Sequence, residues 1–421
     1  MLRPVFVLIC VAACRPGRDV PPFTLRVAVS GSFGAVSPDA DVQNQSALAQ
    51  GWVFEPLARI GETGEMVPAL ASKLALAGPR ELRVWLRAEA RFSDGTPLSF
   101  EDVATSLARN KLRVRRDGES LLVDSDDAPL PTDLLLARSL IFRRAGKRLI
   151  GTGAFVVEEE DQSHVLLARR QREPGRIDRV LLQAYPMPKD AFAHMLKGDA
   201  DLLPHPEARW LEFFEGIPRL RILRAPGINA NAVAFNLRRL SRAERVALVQ
   251  VLANNEVRKL AFGDACLPRA DEPRIEPLAS GRLLGVVALP LFERFALAIR
   301  RALGERGGDV RLADLQHFFA IVKSGDFDMV AAAPLIWPPL MSVLVWRTGA
   351  PSNVLGYSNP RVDAALDARD WRGAQRALDE DPPAAFVCNP DRIAVVDARI
   401  KNAELGPYDL LETLPQWEVA Q

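Results

Sequence analysis

Glu81-Leu-Arg-Val-Trp-Leu-Arg87 is followed by Arg91-Phe-Ser-Asp-Gly-Thr-Pro-Leu-Ser-Phe-Glu-Asp-Val103, and these two runs decide how the chain is read. Leu82, Val84 and Leu86 alternate with Arg83, Trp85 and Arg87, the period of a half-buried strand. Asp94-Gly95 is a turn dipeptide, because Gly reaches positive φ without a Cβ clash. Thr96-Pro97 keeps the chain extended. Ser99 stands three residues before Asp102, a near capping box that opens a helix through Val103, Ser106 and Leu107. Strand, turn and capped helix account for these residues without any catalytic role.

Outward from this core the pattern continues. Leu25, Val27 and Val29 alternate with Thr24, Arg26 and Ala28, which predicts a first strand broken at Ser30-Gly-Ser-Phe-Gly34. Asn110 to Ala145 is poorly patterned: a charged piece at Val114 to Gly118, an acidic loop at Asp124 to Asp127 and a leucine helix near Leu134. Gly151-Thr-Gly-Ala-Phe155 lacks the third Gly, Lys and Ser/Thr of a phosphate loop, so it reads as a strand-entry turn. Two segments share one device. A helix from Asp190 to Lys197 stops at Gly198 before Asp199 to Leu203, and one from Leu315 to Lys323 stops at Gly325 before Asp326 to Val330. A helix ended by a left-handed Gly and followed by a buried strand is half of a βα layer, so two α/β lobes are expected.

The chain has 421 residues, enough for two or three lobes. Its 48% hydrophobic and 25% charged content is that of a soluble globular protein. Lys and Arg number 54 against 53 Asp and Glu, so no basic excess points to nucleic acid. Arg3 precedes a short apolar run from Val5 to Ala13, and Val11-Ala-Ala-Cys14 matches a lipobox. The run is too short to span a bilayer. It predicts a signal peptide over residues 1–13, a lipidated Cys14 and a linker over 14–21, with an ordinary signal peptide or a mis-assigned start as the other readings. Export places the chain in an oxidising compartment. Cys266 and Cys388 are expected to be free, since a chain of this size needs no staple.

The succession FEPLARI, MVPALASKL, LRVWLR and RFSDGTPLSFEDVATSLAR resembles the signature of the family 5 extracellular solute-binding proteins, the peptide, nickel and glycan receptors of ABC importers. Gly151 to Phe155, KGDADLL, SGDFDMV, Ala232-Val-Ala-Phe-Asn-Leu-Arg238 and Gly356-Tyr-Ser-Asn-Pro360 with Val362-Asp363 resemble further elements of that family in the same order. The resemblance implies an α/β, bilobal, class II periplasmic-binding-protein-like fold with a reduced insert lobe. Its layout puts lobe I at 22–50, 150–232 and 396–421, a trimmed insert at 51–149 and lobe III at 233–395. It implies a lipid-anchored protein on the periplasmic or extracellular face that captures a small ligand and delivers it to an ABC permease, with no enzymatic activity and no cofactor. A lipoprotein of the same fold serving as a sensor or interaction module is the alternative.

The residues agree in offering little chemistry. His164, His194, His205 and His317 form no metal-ligating pair, and no Gly-x-Ser-x-Gly or Walker loop is present. Asp199/Asp201 and Asp326/Asp328 read more simply as structural acids at strand entry than as acid/base pairs. Ligands of open α/β sheets sit outside the carboxyl ends of strands. That selects Ser32 and Phe33, His205 and Trp337, with Arg347 and then Trp52 behind them. The plainer readings are core or rim packing for the aromatics and an exposed loop for His205. In the family, an acidic segment commonly follows the Trp matched by Trp337 and meets a peptide's amine. Here Pro338-Pro-Leu-Met341 follows, which argues against a ligand held by its amine.

Overall fold

The computed structural model describes residues 22–420, except 39–44, 62–63, 79, 126–131, 147, 267–277, 279, 334–341, 351 and 407–408. The expected leader, Cys14 and Trp337 lie outside the described residues. No helix among those described is long and apolar enough to cross a membrane.

The chain opens with β1 (Thr24–Ser30), the predicted first strand. Leu25, Val27, Ala28 and Val29 are all buried, because β1 lies inside its sheet with both faces covered. The insert follows. Its main sheet orders the strands 71–78, 81–86, 120–124 and 113–117. Against it packs α1 (Phe100–Ala108), opened by the capping box: Ser99 Oγ accepts from the Asp102 N–H, and the Asp102 carboxylate accepts from the Ser99 N–H at 3.0 Å. Val103, Ser106 and Leu107 are buried as their spacing predicts. Gly95 has φ +85°, so the Asp94-Gly95 turn uses Gly for its conformation. Then comes α2 (Thr132–Arg138), whose Leu135 and Leu136 join the insert core. The charged piece at Val114 is an exposed edge strand.

The chain re-enters the first sheet as β2 (Phe155–Glu160), β3 (His164–Arg169) and β4 (Arg179–Tyr185). α3 (Pro188–Lys197) ends at Gly198 with φ 86°, as its sequence requires, and leads to β5 (Leu202–Pro204) and β6 (Leu220–Ala225). A crossing at 226–230 opens lobe III: β7 (Asn231–Phe235), β8 (Leu284–Ala288), β9 (Gly307–Leu312), α4 (Leu315–Ser324), β10 (Met329–Ala332), α5 (Pro360–Asp367), α6 (Trp371–Glu380) and β11 (Ala384–Cys388). α4 ends at Gly325, again left-handed at φ 74°. The chain returns at 389–391 as β12 (Arg392–Asp397). The seven-stranded order is β2-β3-β4-β1-β5-β12-β6, and the five-stranded order is β9-β8-β10-β7-β11.

Two expectations change. Arg392 already pairs with Ala225 in the first sheet, so the return crossing lies ahead of residue 396. Cys266 and Cys388 are bonded, with Cα atoms 5.9 Å apart. Chain size is no guide here. The short helix Asn255–Phe262 ends at Gly263 and brings Cys266 over the end of β11, within the Cα separation a disulfide spans. The bond therefore staples the last residue of lobe III before the crossing.

Candidate ligand-binding cleft

Strand register fixes where the two sheets face one another. β1 runs parallel to β4, from Thr24 opposite Arg179 to Ser30 opposite Tyr185, and parallel to β5 at Val27 opposite Leu202. β12 is antiparallel to β5 and β6, with Pro204 opposite Ala394 and Ala225 opposite Arg392. Both crossings therefore leave lobe I at the end where β1, β4 and β5 terminate. In lobe III, Asn231 lies opposite Cys388 and Ala232 opposite Ala332, so β7 starts and β10 ends beside the crossings. β8 and β9 run parallel with β10 and end at the same side. The carboxyl ends of both sets of parallel strands thus flank the crossings, where open α/β sheets take ligands.

The crossings themselves are tightly fitted. A Cβ on Gly227 would lie 2.1 Å from the Pro390 carbonyl oxygen, so only glycine lets the two strands approach. Asn389 Nδ2 donates to the Gly227 carbonyl at 3.0 Å, and Arg392 Nε donates to that of Pro226 at 3.1 Å.

On the lobe I side, Gly31 (φ +112°) turns the chain out of β1 and donates its N–H to the Tyr185 carbonyl at 2.9 Å. Ser32 is exposed at this edge. Phe33 is not: it is 4% exposed and packs in the lobe I core, which leaves its side chain to packing instead of ligand contact. Trp52 is likewise a core residue, fully buried, with Nε1 donating to the Leu411 carbonyl at 2.8 Å. His205 follows β5 with φ 52° and its N–H on the Ile393 carbonyl. Solvent reaches the residue, yet desolvation and then the Arg392 charge push its imidazole below 6.5.

Sequence reasoning missed three charged groups, of which Arg392 acts on His205 and the other two act on Arg392. Asp409 and Glu412 come from the C-terminal segment and Arg392 from the start of β12. Burial pushes the Asp409 carboxyl up. It pushes Glu412 up to about 7, helped by the Asp409 charge and opposed by Arg59 and Arg392. Burial lowers the Arg392 guanidinium, against which the two acids act. These residues come from separated segments, so only a fold assembles them.

Arg347 stands apart from this edge. Its guanidinium is bonded to Asp367 at 2.9 and 3.2 Å, within lobe III. The paired aspartates are structural. Asp201, 1% exposed, accepts from the Arg26 N–H and from both the Arg26 and Arg399 guanidinium groups. Asp328 accepts from the Gly285 N–H and pairs with Arg282. No cluster of metal-ligating side chains occurs among the described residues. A cavity of about 530 Å³ lies within lobe III, lined by Trp346, Trp371, Phe386 and Cys388, among others. Its walls come from lobe III and the crossings, so a ligand there would leave lobe I untouched.

No protein-family model matches the chain, and no curated protein matches it in sequence. Solved structures do match. The unliganded open form of the periplasmic murein tripeptide binding protein MppA aligns with TM-score 0.77 at 18% identity, covering 95% of this chain and 98% of that one. A nickel ABC transporter protein of Bacillus halodurans gives 0.77 at 15%, covering 94% and 100%. The oligopeptide-binding protein AppA of Bacillus subtilis, in complex with a nonapeptide, gives 0.64 at 14%, covering 94% and 99%. The fold is that of the peptide- and nickel-type solute-binding proteins. The match spans nearly the whole of each solute-binding protein compared, so the crossings and the bilobal α/β layout belong to one architecture.

Proposed function

We infer that this chain is an extracytoplasmic solute-binding protein, anchored through a lipidated Cys14, that captures a small ligand between lobes I and III and hands it to an ABC permease. The observation that carries this reading is the register: the carboxyl ends of the parallel strands in both sheets flank the two crossings. A ligand that touches both lobes binds the closed arrangement better than the open one, and this differential drives closure. Ser32 and His205 are the proposed contacts from lobe I, and Trp337 the proposed contact from the segment after β10. An indole at a strand's carboxyl end stacks on a sugar-like or apolar ligand for about 0.5–1.5 kcal/mol beyond area burial. A peptide held by its free amine is disfavoured, because no acid follows Trp337 before Trp346.

The test is native mass spectrometry of co-purifying ligand, followed by calorimetry with peptides, oligosaccharides and metal chelates against wild type and Trp337→Ala. A ligand that binds tightly and weakens in Trp337→Ala is expected. Tight binding of free-amine peptides that N-acetylation abolishes would overturn the ligand class. Membrane retention of a Cys14→Ser variant equal to wild type would overturn the anchor.

A further inference from the structure

The apolar clusters of lobe III stay within it: those around Phe295, Trp346 and Phe318 contain residues 232–388 alone. A charge contact does cross. Arg369 Nη2 lies 2.5 Å from Asp133 Oδ2. Asp133 belongs to α2 of the insert and is 1% exposed. Arg369 belongs to the corner between α5 and α6, whose Val362, Leu366 and Ala374 pack in lobe III. Both partners are side chains of this chain, so the contact needs no ligand atom.

The corner is shaped around that arginine. Arg369 has φ 56°, a left-handed conformation that glycine adopts without penalty and that a Cβ disfavours. The Asp370 N–H bonds the Ala365 carbonyl at 2.9 Å and the Arg369 N–H that of Leu366 at 3.1 Å, which closes the end of α5 over a left-handed residue. Gly198 and Gly325 fill the equivalent position at the ends of α3 and α4. Here a strained arginine stands in glycine's place, and its guanidinium reaches the insert. The corner is braced on both sides. Arg347 holds Asp367 two residues before it, and Asp370 accepts from the Gly373 N–H to start α6.

We propose that Arg369 and Asp133 form a latch between lobe III and the insert that sets the resting separation of the lobes before any ligand arrives. It concerns the closed–open balance of the empty protein, and it rests on lobe III moving about the crossings as proposed above. Breaking the contact lets the lobes separate further. Loss of one coupled contact of this kind shifts such a balance by about tenfold.

Small-angle X-ray scattering of the purified full chain, stripped of ligand, tests this at low and high salt. Arg369→Gly relieves the left-handed strain and removes the charge, so its Tm is expected to hold or rise while its radius of gyration grows. Asp133→Asn is expected to open the protein likewise, Arg369→Lys to stay near wild type, and high salt to shift wild type only slightly, because a pair with a buried partner is screened little. Identical scattering from wild type and Arg369→Gly would overturn the latch. Equal opening in Arg369→Lys and Arg369→Gly would overturn its assignment to charge. A protein that opens in these variants yet never captures a ligand keeps the latch and loses the transport reading. One that captures ligand and never opens loses the latch alone.

Discussion

Where the insert meets lobe I, apolar side chains cross the seam, although the insert keeps a cluster of its own around Phe92 and Leu107. Phe142 of the insert packs in the lobe I cluster with Trp52 and Phe54. Ser106 Oγ on α1 bonds both the N–H and the carbonyl of Phe142. The Arg170 guanidinium donates to the carbonyls of Thr152 and Phe92 at 2.9 and 2.8 Å. Where lobe III meets its neighbours, no described apolar cluster crosses; among what does cross are backbone, hydrogen bonds at the hinge, the Arg369–Asp133 contact and the approach of the turn Ala208–Phe213 to Gly263–Ala265. Apolar burial at about 25 cal/mol per Å² locks the first seam, while the second carries only contacts that can be made and unmade. The two seams differ in kind: one makes a single body of lobe I and the insert, and the other is a joint.

Two glycines probe that difference, one at each seam. A Cβ on Gly153 would lie 2.2 Å from the Trp52 carbonyl oxygen, with the backbone of Val53 close behind. Packed backbone on both sides has nowhere to go, so Gly153→Ala is expected to cost about 3 kcal/mol or more and to lower the yield of folded protein. At the joint, Gly227→Ala meets the Pro390 carbonyl just as closely. There the two crossings can part by a small rotation of lobe III, and the expected cost is about 1–2 kcal/mol with a change in lobe separation. Urea denaturation of both variants compares them. A Gly227→Ala loss as large as that of Gly153→Ala would mean that the joint is as rigid as the filled seam.

The filled seam was the legible one. Gly151 and Gly153 stand in a motif, and their spacing marks a strand-entry turn; their contact with Trp52 and Val53 explains why that turn needs glycine. Ser99 with Asp102, Gly198 and Gly325 were readable because caps and stops act within four or five residues. The joint was not. Arg369 and Asp133, or Glu412 with Arg59 and Arg392, meet only after distant segments fold, and nothing local marks them. The strand Ala71–Gly78 escaped for another reason: it lies at a sheet edge with several exposed positions, and the alternation that reveals a half-buried strand is blurred. The cysteine pair depended on a Cα separation that no spacing encodes.

Glu412 lies where the two seams converge, within the field of Arg59 from the insert and Arg392 from the return crossing. Its carboxyl is raised from 4.5 to about 7, so the folded protein holds a proton there that the unfolded chain releases at lower pH. The stabilisation from that group is complete below about pH 4.5 and is lost as pH rises through about 7. Glu412→Gln stays neutral throughout and is expected to be more stable than wild type at pH 8 by about 1–2 kcal/mol, with little difference near pH 4.5. Denaturation curves at the two pH values give the comparison. A wild-type-minus-variant difference that does not move with pH would show that Glu412 is solvated and not part of the convergence.

The smallest effect asks whether lobe I and the insert unfold as one body. Ser99 caps α1, which meets the seam with lobe I at Phe142. Ser99→Ala removes the hydroxyl that accepts from the Asp102 N–H at 3.2 Å and is expected to cost about 1 kcal/mol. Because the lesion sits wholly inside the insert, the way that cost is distributed is informative. If the apolar core is continuous across the seam, the insert cannot melt while lobe I stays folded, since opening it would expose Phe142 and the packing around Trp52 and Phe54. The variant's calorimetric trace should then keep the wild-type number of transitions, with the one that includes lobe I moved down. If the insert were instead a satellite, Ser99→Ala would split off a new low-temperature transition and leave the remainder in place. That outcome would make the insert a second mobile body and remove the contrast between a filled seam and a joint.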